Sequence, residues 1–276
     1  MTETPVHTLN DGRAMPAVGL GTWPLGDDAA EKAVAGALGL GYRLVDTALS
    51  YGNETGTGRG IARSGVRRED VFVTTKVPGR HHGYEPTLAS FEESRRNLGL
   101  EYVDLYLIHW PLPRLDLYVD TWKALIRLRE DGLVRSIGVS NFTAAQIDRL
   151  EQETGVLPAV NQIEMHPSLP QDELRSAHTA KGIVTESWSP LGRGRDLPAA
   201  PELVAVADAH GVTPAQAVLR WHTQLGAVPI PKSADPGRQR ENLDLFGFEL
   251  TADELARISA GPRQRFGGDP EVHEEF

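Results

Sequence analysis

Cysteine is absent from the 276-residue sequence, and this absence excludes disulfide bonds and thiol catalysis. Positive charge is also in deficit, because 38 Asp and Glu against 28 Lys and Arg give a formal net charge of -10. Such a balance argues against nucleic acid or an anionic membrane surface as a partner. A local group of Lys and Arg could still bind the phosphates of a small anionic cofactor.

Long apolar runs and targeting segments are missing as well. No stretch approaches the roughly 18 consecutive apolar residues of a membrane-spanning helix. Residues 1–16 are polar and interrupted by Pro and Gly, without the basic and apolar regions of a signal peptide. We therefore expect a soluble protein of the cytoplasm, a reducing compartment that suits a chain without cysteine.

What the sequence does contain is a regular alternation of apolar and amphipathic segments. Eight apolar segments have the length and residue types of buried strands, and each is followed by a segment with helical periodicity. A chain of this length with eight such units predicts a single domain, residues 1–276, folded as a parallel (β/α)8 TIM barrel. An open doubly wound sheet shows the same alternation, but no G-x-G-x-x-G sequence follows a strand. The predicted strands are GLGTW, RLVDTA, VFVTTK, VDLYLIH, VRSIGVSN, AVNQIEM, IVTESWSPL and AVPIPK.

The two ends of the chain depart from this alternation. VHTLNDGRAMPAVG predicts a β-hairpin that turns at Asn10-Asp11-Gly12, and we expect it to cover the bottom of the barrel. A capping box of Thr251 and Glu254 predicts the start of a last helix. The last sixteen or so residues, from about 261, show no periodicity and predict a loop or tail near the mouth of the barrel.

Reactive side chains stand at or just beyond the ends of successive predicted strands. Asp46 and Tyr51 follow the second strand, Lys76 ends the third, and His109 ends the fourth. The C-terminal ends of barrel strands meet at one mouth, so we expect these groups to converge. Lys76 would stabilise the charge that forms as the Tyr51 phenol donates its proton, and Asp46 would keep Lys76 charged. Neutral His109 would orient a substrate carbonyl beside the phenol.

Each of these residues also has a purely structural interpretation. Asp46 could cap a helix or form a structural ion pair, and Tyr51 could pack with its hydroxyl in water. Lys76 could belong to an interior ion pair, and His109 could satisfy the entry of a loop. The functional interpretation is favoured because all four residues reach the same end of consecutive strands.

A second group of polar and aromatic residues follows the later strands. Ser140 and Asn141 end strand five, Gln162 lies in strand six, and Trp188 lies in strand seven. Side-chain amides can pair with a carboxamide, and an indole face can stack on a flat ring, so the group suits a nicotinamide. The alternatives are core packing for Trp188 and a turn for Asn141.

Basic residues follow the eighth strand, in the segment PKSADPGRQREN. Lys232, Ser233 and Arg238 lie where phosphates commonly bind in barrels, near the start of a helix that we expect from Arg238 to Phe246. Two cations and a hydroxyl would suit a 2'-phosphate. A solvated basic turn is the alternative.

Taken together, these segments resemble the aldo-keto reductase superfamily. The compact length, the short WPLPRLDLY loop and ETGVLPAVNQIE are most similar to the prokaryotic group that contains 2,5-diketo-D-gluconate reductase. The resemblance implies a barrel that binds NADPH at its mouth and transfers hydride to an aldehyde or ketone without a metal. The segments that carry it, in order over nearly the whole chain, are GLGTW, GYRLVDTALSYGNE, VDLYLIHWP, IGVSNF, AVNQIEMHP, ESWSPLG and IPKS.

The resemblance also implies roles for individual residues. The family's catalytic set matches Asp46, Tyr51, Lys76 and His109. Substrate is expected against Tyr51 and His109, with Trp23 and Trp110 as wall or rim aromatics. Asp235 lies where the family often has a further basic residue, and it could weaken the preference for NADPH over NADH. The expected cofactor contacts are Gly21, Thr22, Trp23, Ser140, Asn141, Gln162, Trp188, Ser189, Pro190, Leu191, Gly192, Lys232, Ser233, Arg238, Glu241 and Asn242.

Two further functions stay open beside an NADPH-dependent reductase of aldehydes, ketones, dicarbonyls, keto sugars or quinones. A cofactor-binding regulatory subunit would keep the NADP site but turn over slowly. A metal-dependent hydrolase would use His109, Glu164 and His166, the last two of which share a strand face. The lack of His-x-His after the first strand and the crowding of His109 by Trp110-Pro111 count against a metal. The family's usual state is a monomer.

Overall fold

Eight parallel strands in chain order form the central sheet of the protein, seen in a computed structural model that describes residues 4–194 and 200–275. A separate pair, β1 and β2, is antiparallel. Strands β5 and β6 are buried along their whole length, as expected for parallel strands covered on both faces. The strands are β1 (Val6–Thr8), β2 (Ala14–Pro16), β3 (Leu20–Gly21), β4 (Leu44–Asp46), β5 (Phe72–Val77), β6 (Val103–Ile108), β7 (Val134–Ser140), β8 (Val160–Glu164), β9 (Val184–Trp188) and β10 (Ala227–Pro229).

Backbone hydrogen bonds between the first and last strands close this sheet into a barrel. The Gly19 amide donates to the Pro229 carbonyl at 3.0 Å, and the Gly21 amide donates to the Pro231 carbonyl at 3.3 Å. A Cβ added at Gly21 would lie 2.8 Å from the Ile230 carbonyl oxygen, so this close approach requires glycine. The (β/α)8 barrel predicted from the sequence is confirmed.

Ten α-helices among the described residues surround the barrel. Helices α1 to α6 each connect two consecutive strands, and α7 and α8 together connect β9 to β10. No helix in residues 4–194 and 200–275 is long and apolar enough to cross a membrane. The helices are α1 (Asp27–Leu40), α2 (Glu54–Arg63), α3 (Tyr84–Leu98), α4 (Tyr118–Glu130), α5 (Ala144–Thr154), α6 (Asp172–Ala180), α7 (Pro201–His210), α8 (Pro214–Gln224), α9 (Pro236–Leu243) and α10 (Ala252–Ile258).

The start of α9 differs from the sequence prediction. The helix spans Pro236–Leu243 rather than Arg238 to Phe246. The Asp235 carboxylate caps it by accepting the backbone amide of Arg238 at 2.8 Å, and Pro236 occupies the first turn. The capping box predicted for α10 is present, because Thr251 and Glu254 bond each other's backbone amides.

The N-terminal hairpin covers the bottom of the barrel, as predicted. Its turn is tied to the start of β8 through the Asn10 amide, which donates to the Pro158 carbonyl at 2.9 Å. Leu9 and Met15 of the hairpin are buried against the barrel interior. Apolar side chains therefore fill the lower barrel, and the polar side chains of the strands gather above them. Leu9 and Met15 belong to one hydrophobic cluster with residues of the barrel strands, which include Leu44, Leu105, Leu107, Val160 and Val228.

Candidate active site

Lys76 is the buried centre of the predicted catalytic group. It has no exposed surface, and its Nζ donates to the two carboxylate oxygens of Asp46 at 2.7 and 2.9 Å. The same nitrogen donates to the Thr47 carbonyl at 2.9 Å and to the Tyr51 hydroxyl at 3.3 Å. The pairing of β4 with β5 brings these groups together, since Asp46 ends β4 and Lys76 lies near the end of β5.

These contacts set the protonation states of Lys76 and Tyr51. Burial is the largest single effect on the pKa of Lys76 and lowers it, but the charge and hydrogen bond of Asp46, together with Tyr51 and Glu186, outweigh burial, and the pKa ends above its usual value. Lys76 is therefore an ammonium. Burial raises the pKa of Tyr51 to about 12, with the Lys76 charge acting in the opposite direction. At neutral pH Tyr51 keeps its proton, and the ammonium is placed to stabilise a phenolate as it forms.

The turn that carries Tyr51 is fixed by a buried asparagine that the sequence reasoning missed. Tyr51 ends a short 3-10 turn after β4, and Gly52 follows with a φ of 65°. Asn53 accepts the Thr47 hydroxyl at 2.7 Å and donates to the Thr22 carbonyl at 3.2 Å. Asn53 is fully buried, although it directly follows the turn residues Tyr-Gly. The signal in the sequence for its role in fixing the turn was a side-chain amide just before a predicted helix.

His109 lies beside Tyr51 but is already in contact with the C-terminal tail. The two rings meet edge to face at 5.7 Å between centroids. His109 Nδ1 lies 2.6 Å from Glu275 Oε1 and 3.3 Å from Ser50 Oγ. The second oxygen of Glu275 accepts the Gly79 amide at 3.3 Å. A carboxylate of the chain itself thus lies against the histidine that was expected to orient substrate.

Glu164 anchors the tail on its way to the mouth. Its two oxygens accept the backbone amides of Phe266 at 2.7 Å and Gly267 at 2.9 Å, and the side chain is fully buried. His166 Nε2 lies 3.1 Å from Glu164 Oε1, and its ring stacks on that of Phe266. The pair considered as metal ligands in the hydrolase alternative is therefore engaged with the tail. No group of three or more His, Asp or Glu side chains in the described part of the chain could hold a metal ion.

The tail also covers one wall of the mouth. The His273 ring packs on Trp110 with 4.0 Å between centroids, and Arg114 pairs with Glu274. Trp110 is 8% exposed as a result, whereas Trp23 across the mouth is 50% exposed. The two aromatic residues expected at the substrate pocket therefore differ: one is covered by the tail and the other is open.

The residues expected to meet a nicotinamide are joined to His109. Trp188 Nε1 donates to Asn141 Oδ1 at 2.8 Å. Asn141 Nδ2 donates to the His109 carbonyl at 3.1 Å and to Ser140 Oγ at 3.0 Å. Asn141 has a φ of 64°, a left-handed conformation in which asparagine is tolerated. These bonds fix Asn141 and the Trp188 indole at the mouth of the barrel.

Gln162 faces the interior of the barrel, where it contacts Glu186, a residue that the sequence reasoning missed. Its Nε2 donates to Asp46 Oδ2 at 2.7 Å and to Glu186 Oε2 at 2.7 Å. Gln162 is 1% exposed and Glu186 has no exposed surface. A glutamate in the middle of a buried strand, within ESWSP, was the available signal.

The loop after β9 turns sharply beside Trp23 and Trp188. Ser189 has a φ of 49° and Gly192 one of 61°, and the Gly192 amide donates to the Ser189 carbonyl at 2.9 Å. The Pro190 carbonyl lies 3.1 Å from His222 Nε2, and Leu191 packs against the core formed by α7 and α8. This loop is therefore fixed from behind.

Arg193 was also missed by the sequence reasoning. Its guanidinium lies 5.7 Å from the ring centroids of both Trp23 and Trp188. The basic residue of Gly-Arg-Gly after a strand was the signal for it.

The segment after β10 presents cations to solvent. Lys232 and Arg238 are exposed and, among residues 4–194 and 200–275, neither forms an ion pair. Ser233 is buried, its hydroxyl accepts the Asp235 amide at 3.1 Å, and its carbonyl accepts Gln239 Nε2 at 2.9 Å. Of the other expected contacts on α9, Asn242 is buried and Glu241 is exposed. This arrangement fits a phosphate group, because free cations stand at the N-terminus of a capped helix.

The barrel belongs to a known family. Residues 17–261 match the model of the Aldo/keto reductase family, and the chain is a member of that family. It is 54% identical over 269 residues to an aldo-keto reductase of Mycobacterium sp. (strain KMS), with 97% of both chains covered. It is 52% identical over 277 residues to 2,5-diketo-D-gluconic acid reductase B of Corynebacterium sp. (strain SHS752001), with 100% of both chains covered.

Solved structures agree with this assignment. The structure of a Gox0644 mutant in complex with NADPH superposes on this chain with a TM-score of 0.94 and is 45% identical in sequence. The match covers 98% of this chain and 99% of the other. The aldo-keto reductase of Bombyx mori in complex with NADP has a TM-score of 0.88 and 38% identity, covering 94% of this chain and 93% of the other. The resemblance inferred from the sequence segments is confirmed.

Proposed function

We propose that this protein reduces the carbonyl group of small aldehydes or ketones with NADPH. The observation that carries the proposal is the contact of one fully buried ammonium, Lys76, with both Asp46 and the Tyr51 hydroxyl. Reduction of a carbonyl leaves an oxygen that must be protonated. Tyr51 holds a proton at neutral pH, and Lys76 stabilises the negative charge that remains on the phenol oxygen after the proton leaves.

The carbonyl oxygen would lie between Tyr51 and His109. NADPH supplies the hydride for the carbonyl carbon when it is bound at the mouth. The substrate body would lie between Trp23 and Trp110, with the tail of residues 261–275 as part of the wall. Glu275 contacts His109, so substrate entry would require Glu275 to withdraw from that histidine.

The cofactor would lie across the mouth from the centre of the barrel to α9. Trp188 offers a ring face to the nicotinamide, and Asn141 and Gln162 lie within the same region. The open cations Lys232 and Arg238 would bind a 2'-phosphate, which supports NADPH over NADH. The Asp235 carboxylate caps α9 by accepting a backbone amide, and its negative charge would act against the 2'-phosphate and reduce this preference. The remaining expected contacts are Gly21, Thr22, Trp23, Ser140, Ser189, Pro190, Leu191, Gly192, Ser233, Glu241 and Asn242.

The substrate class is proposed from the open and polar character of the mouth together with one relative. Trp23 is half exposed, Arg193 lies near it, and both would accept a hydroxylated or charged substrate. The relative named 2,5-diketo-D-gluconic acid reductase B makes keto sugars and dicarbonyls the first candidates. A monomer in the cytoplasm stays the prediction for the protein's state and location.

The experiment that tests this function is a steady-state assay of cofactor consumption. A panel of methylglyoxal, a keto sugar, a quinone and a simple aldehyde is run with NADPH and, in parallel, with NADH. We expect sustained turnover, a stoichiometric alcohol product and higher kcat/KM with NADPH. Binding of NADPH without turnover of any carbonyl compound would instead support the regulatory-subunit alternative.

A further inference from the structure

Glu186 is a buried acid that the proposed reaction does not use. It lies in the middle of β9, paired in register with Gln162 of β8. One carboxyl oxygen accepts the Gln162 amide at 2.7 Å. The other, Oε1, is buried and has no hydrogen-bond partner in the described part of the chain. A buried carboxylate with one unpartnered oxygen is most costly when it is ionised, and a proton on the group removes the buried charge.

A short chain of hydrogen bonds connects this acid to the predicted proton donor. The Gln162 amide nitrogen donates to Glu186 and to Asp46, both at 2.7 Å. Asp46 accepts Lys76, and Lys76 contacts the Tyr51 hydroxyl. We call Asp46, Lys76, Gln162 and Glu186 the central cluster. A change in the charge of Glu186 therefore alters the electrostatic environment of Lys76.

The charges of the central cluster balance only if Glu186 is protonated. Asp46 of β4 and Lys76 of β5 are the charged groups that face Glu186, while Gln162 of β8 is neutral and Val228, its neighbour on β10, is apolar. One ammonium neutralises one carboxylate, and a second carboxylate would leave a net negative charge inside the barrel. Burial, and then repulsion from Asp46, raise the pKa of Glu186 to about 8.

We propose that Glu186 is a positioning residue for carbonyl reduction, acting as a protonated acid that holds Gln162 and leaves the Lys76 charge to Tyr51. This inference rests on the proposed function. When Glu186 loses its proton, the new carboxylate attracts the Lys76 ammonium and partly cancels its positive charge. The carboxylate also repels the phenolate that forms on Tyr51. Reduction then slows at alkaline pH. Tyr51 does not cause this decline itself, because its own pKa of about 12 lies much higher.

The test is the pH profile of kcat for Glu186→Gln, which has the same shape and no ionisable proton. In the wild type, kcat should fall about tenfold between neutral pH and about pH 10, with a midpoint near the Glu186 pKa. In Glu186→Gln the fall should be less than about twofold, with the KM for the carbonyl and NADPH affinity unchanged. The matched control is Glu54→Gln, which removes another buried glutamate that bonds Thr75 and Asn97 outside the central cluster. This control should keep the wild-type decline.

The outcomes separate this inference from the proposed function. If Glu186→Gln shows the same alkaline decline as the wild type, Glu186 is only a structural residue. Tyr51→Phe is measured beside it, and full turnover of that variant would overturn the proton donor whatever Glu186→Gln shows.

Infrared spectra decide if Glu186→Gln fails to fold. A protonated-carboxyl band that titrates near the Glu186 pKa in the wild type and in Glu54→Gln supports the inference. Absence of that band would overturn it.

Discussion

The central cluster and the basic residues beside α9 differ in whether their charges are paired within the protein. In the central cluster every charged group is enclosed and bonded to another member. Lys232 and Arg238, which we call the basic end, are exposed and have no carboxylate partner in the described residues. Enclosed charges keep one geometry, which suits proton transfer, whereas open cations keep their charge available for an anionic ligand.

The enclosure of one region and the exposure of the other determine which substitutions should affect folding and which should affect binding alone. Removal of a charge from the central cluster leaves its partner buried and unpaired. Removal of a charge from the basic end exposes nothing and leaves no partner. Variants of the central cluster should therefore lose stability and activity together. Variants of the basic end should lose cofactor affinity only.

Lys76→Met should have the largest effect. We expect kcat to fall by about 10²- to 10⁴-fold, because the ammonium that stabilises the phenolate is gone. We also expect the free energy of unfolding to fall by about 3–5 kcal/mol, since Asp46 is left as a buried unpaired charge. Turnover and urea denaturation measure the two losses. The control is Asp46→Leu combined with Lys76→Met, which should recover stability but not activity, and equal instability of both variants would contradict the pairing.

Arg238→Ala should weaken NADPH binding without affecting the fold. Loss of one charged contact to a phosphate should raise the Kd for NADPH by about 10- to 100-fold, or about 1.4–2.8 kcal/mol. The Kd for NADH should change little, and urea denaturation should match the wild type. Arg240→Ala, at an exposed position of the same helix, is the control. An equal loss of NADPH and NADH affinity would break the assignment of the basic end.

Glu186 should make the stability of the protein depend on pH. Its folded pKa of about 8 lies above the ordinary value of 4.5, so between these values the folded state holds a proton that the unfolded state lacks. The free energy of unfolding should therefore fall as pH rises through this window, by up to about 1.4 kcal/mol per pH unit. Urea denaturation of Glu186→Gln across the window should lack this contribution, with Glu271→Gln as an exposed control. A wild-type slope in Glu186→Gln would mean that Glu186 is ionised throughout.

Glu275→Gln should have the smallest effect. Without the carboxylate, the contact with His109 is weaker and the substrate displaces the tail more easily. We expect the KM for the carbonyl to fall about two- to fivefold, within the range of a partly exposed ion pair, and kcat to stay the same. Steady-state kinetics at neutral pH measure this change. Glu271→Gln serves as a tail control with no contact to His109, and an unchanged KM in Glu275→Gln would show that the tail does not compete.

Much of the fold followed from local patterns. Strands buried on both faces and separated by amphipathic helices lead to a parallel barrel, and neighbouring strands in sequence pair in space. The contact of Asp46 with Lys76 could be predicted for this reason, because β4 and β5 are neighbours. The roles given to the site residues stay predictions until variants are measured.

Contacts between distant parts of the chain could not be predicted. The approach of Gln162 and Glu186 to Asp46 depends on closure of the barrel, which brings β8 and β9 opposite β4. The contact of Glu275 with His109 comes from a segment without periodicity. The role of Asp235 as the cap of α9 was not predicted, although its position just before Pro236 is a signal for the start of a helix.

Proton donation by Tyr51, with Lys76 stabilising the phenolate that forms, is the step on which the proposed function depends. Its most direct test is a single-turnover experiment in which Tyr51→Phe, preloaded with NADPH, is mixed with a carbonyl substrate. We predict that NADPH oxidation is at least about 100-fold slower than in the wild type, while the NADPH affinity measured by fluorescence is unchanged. Oxidation at the wild-type rate would show that Tyr51 is not the proton donor.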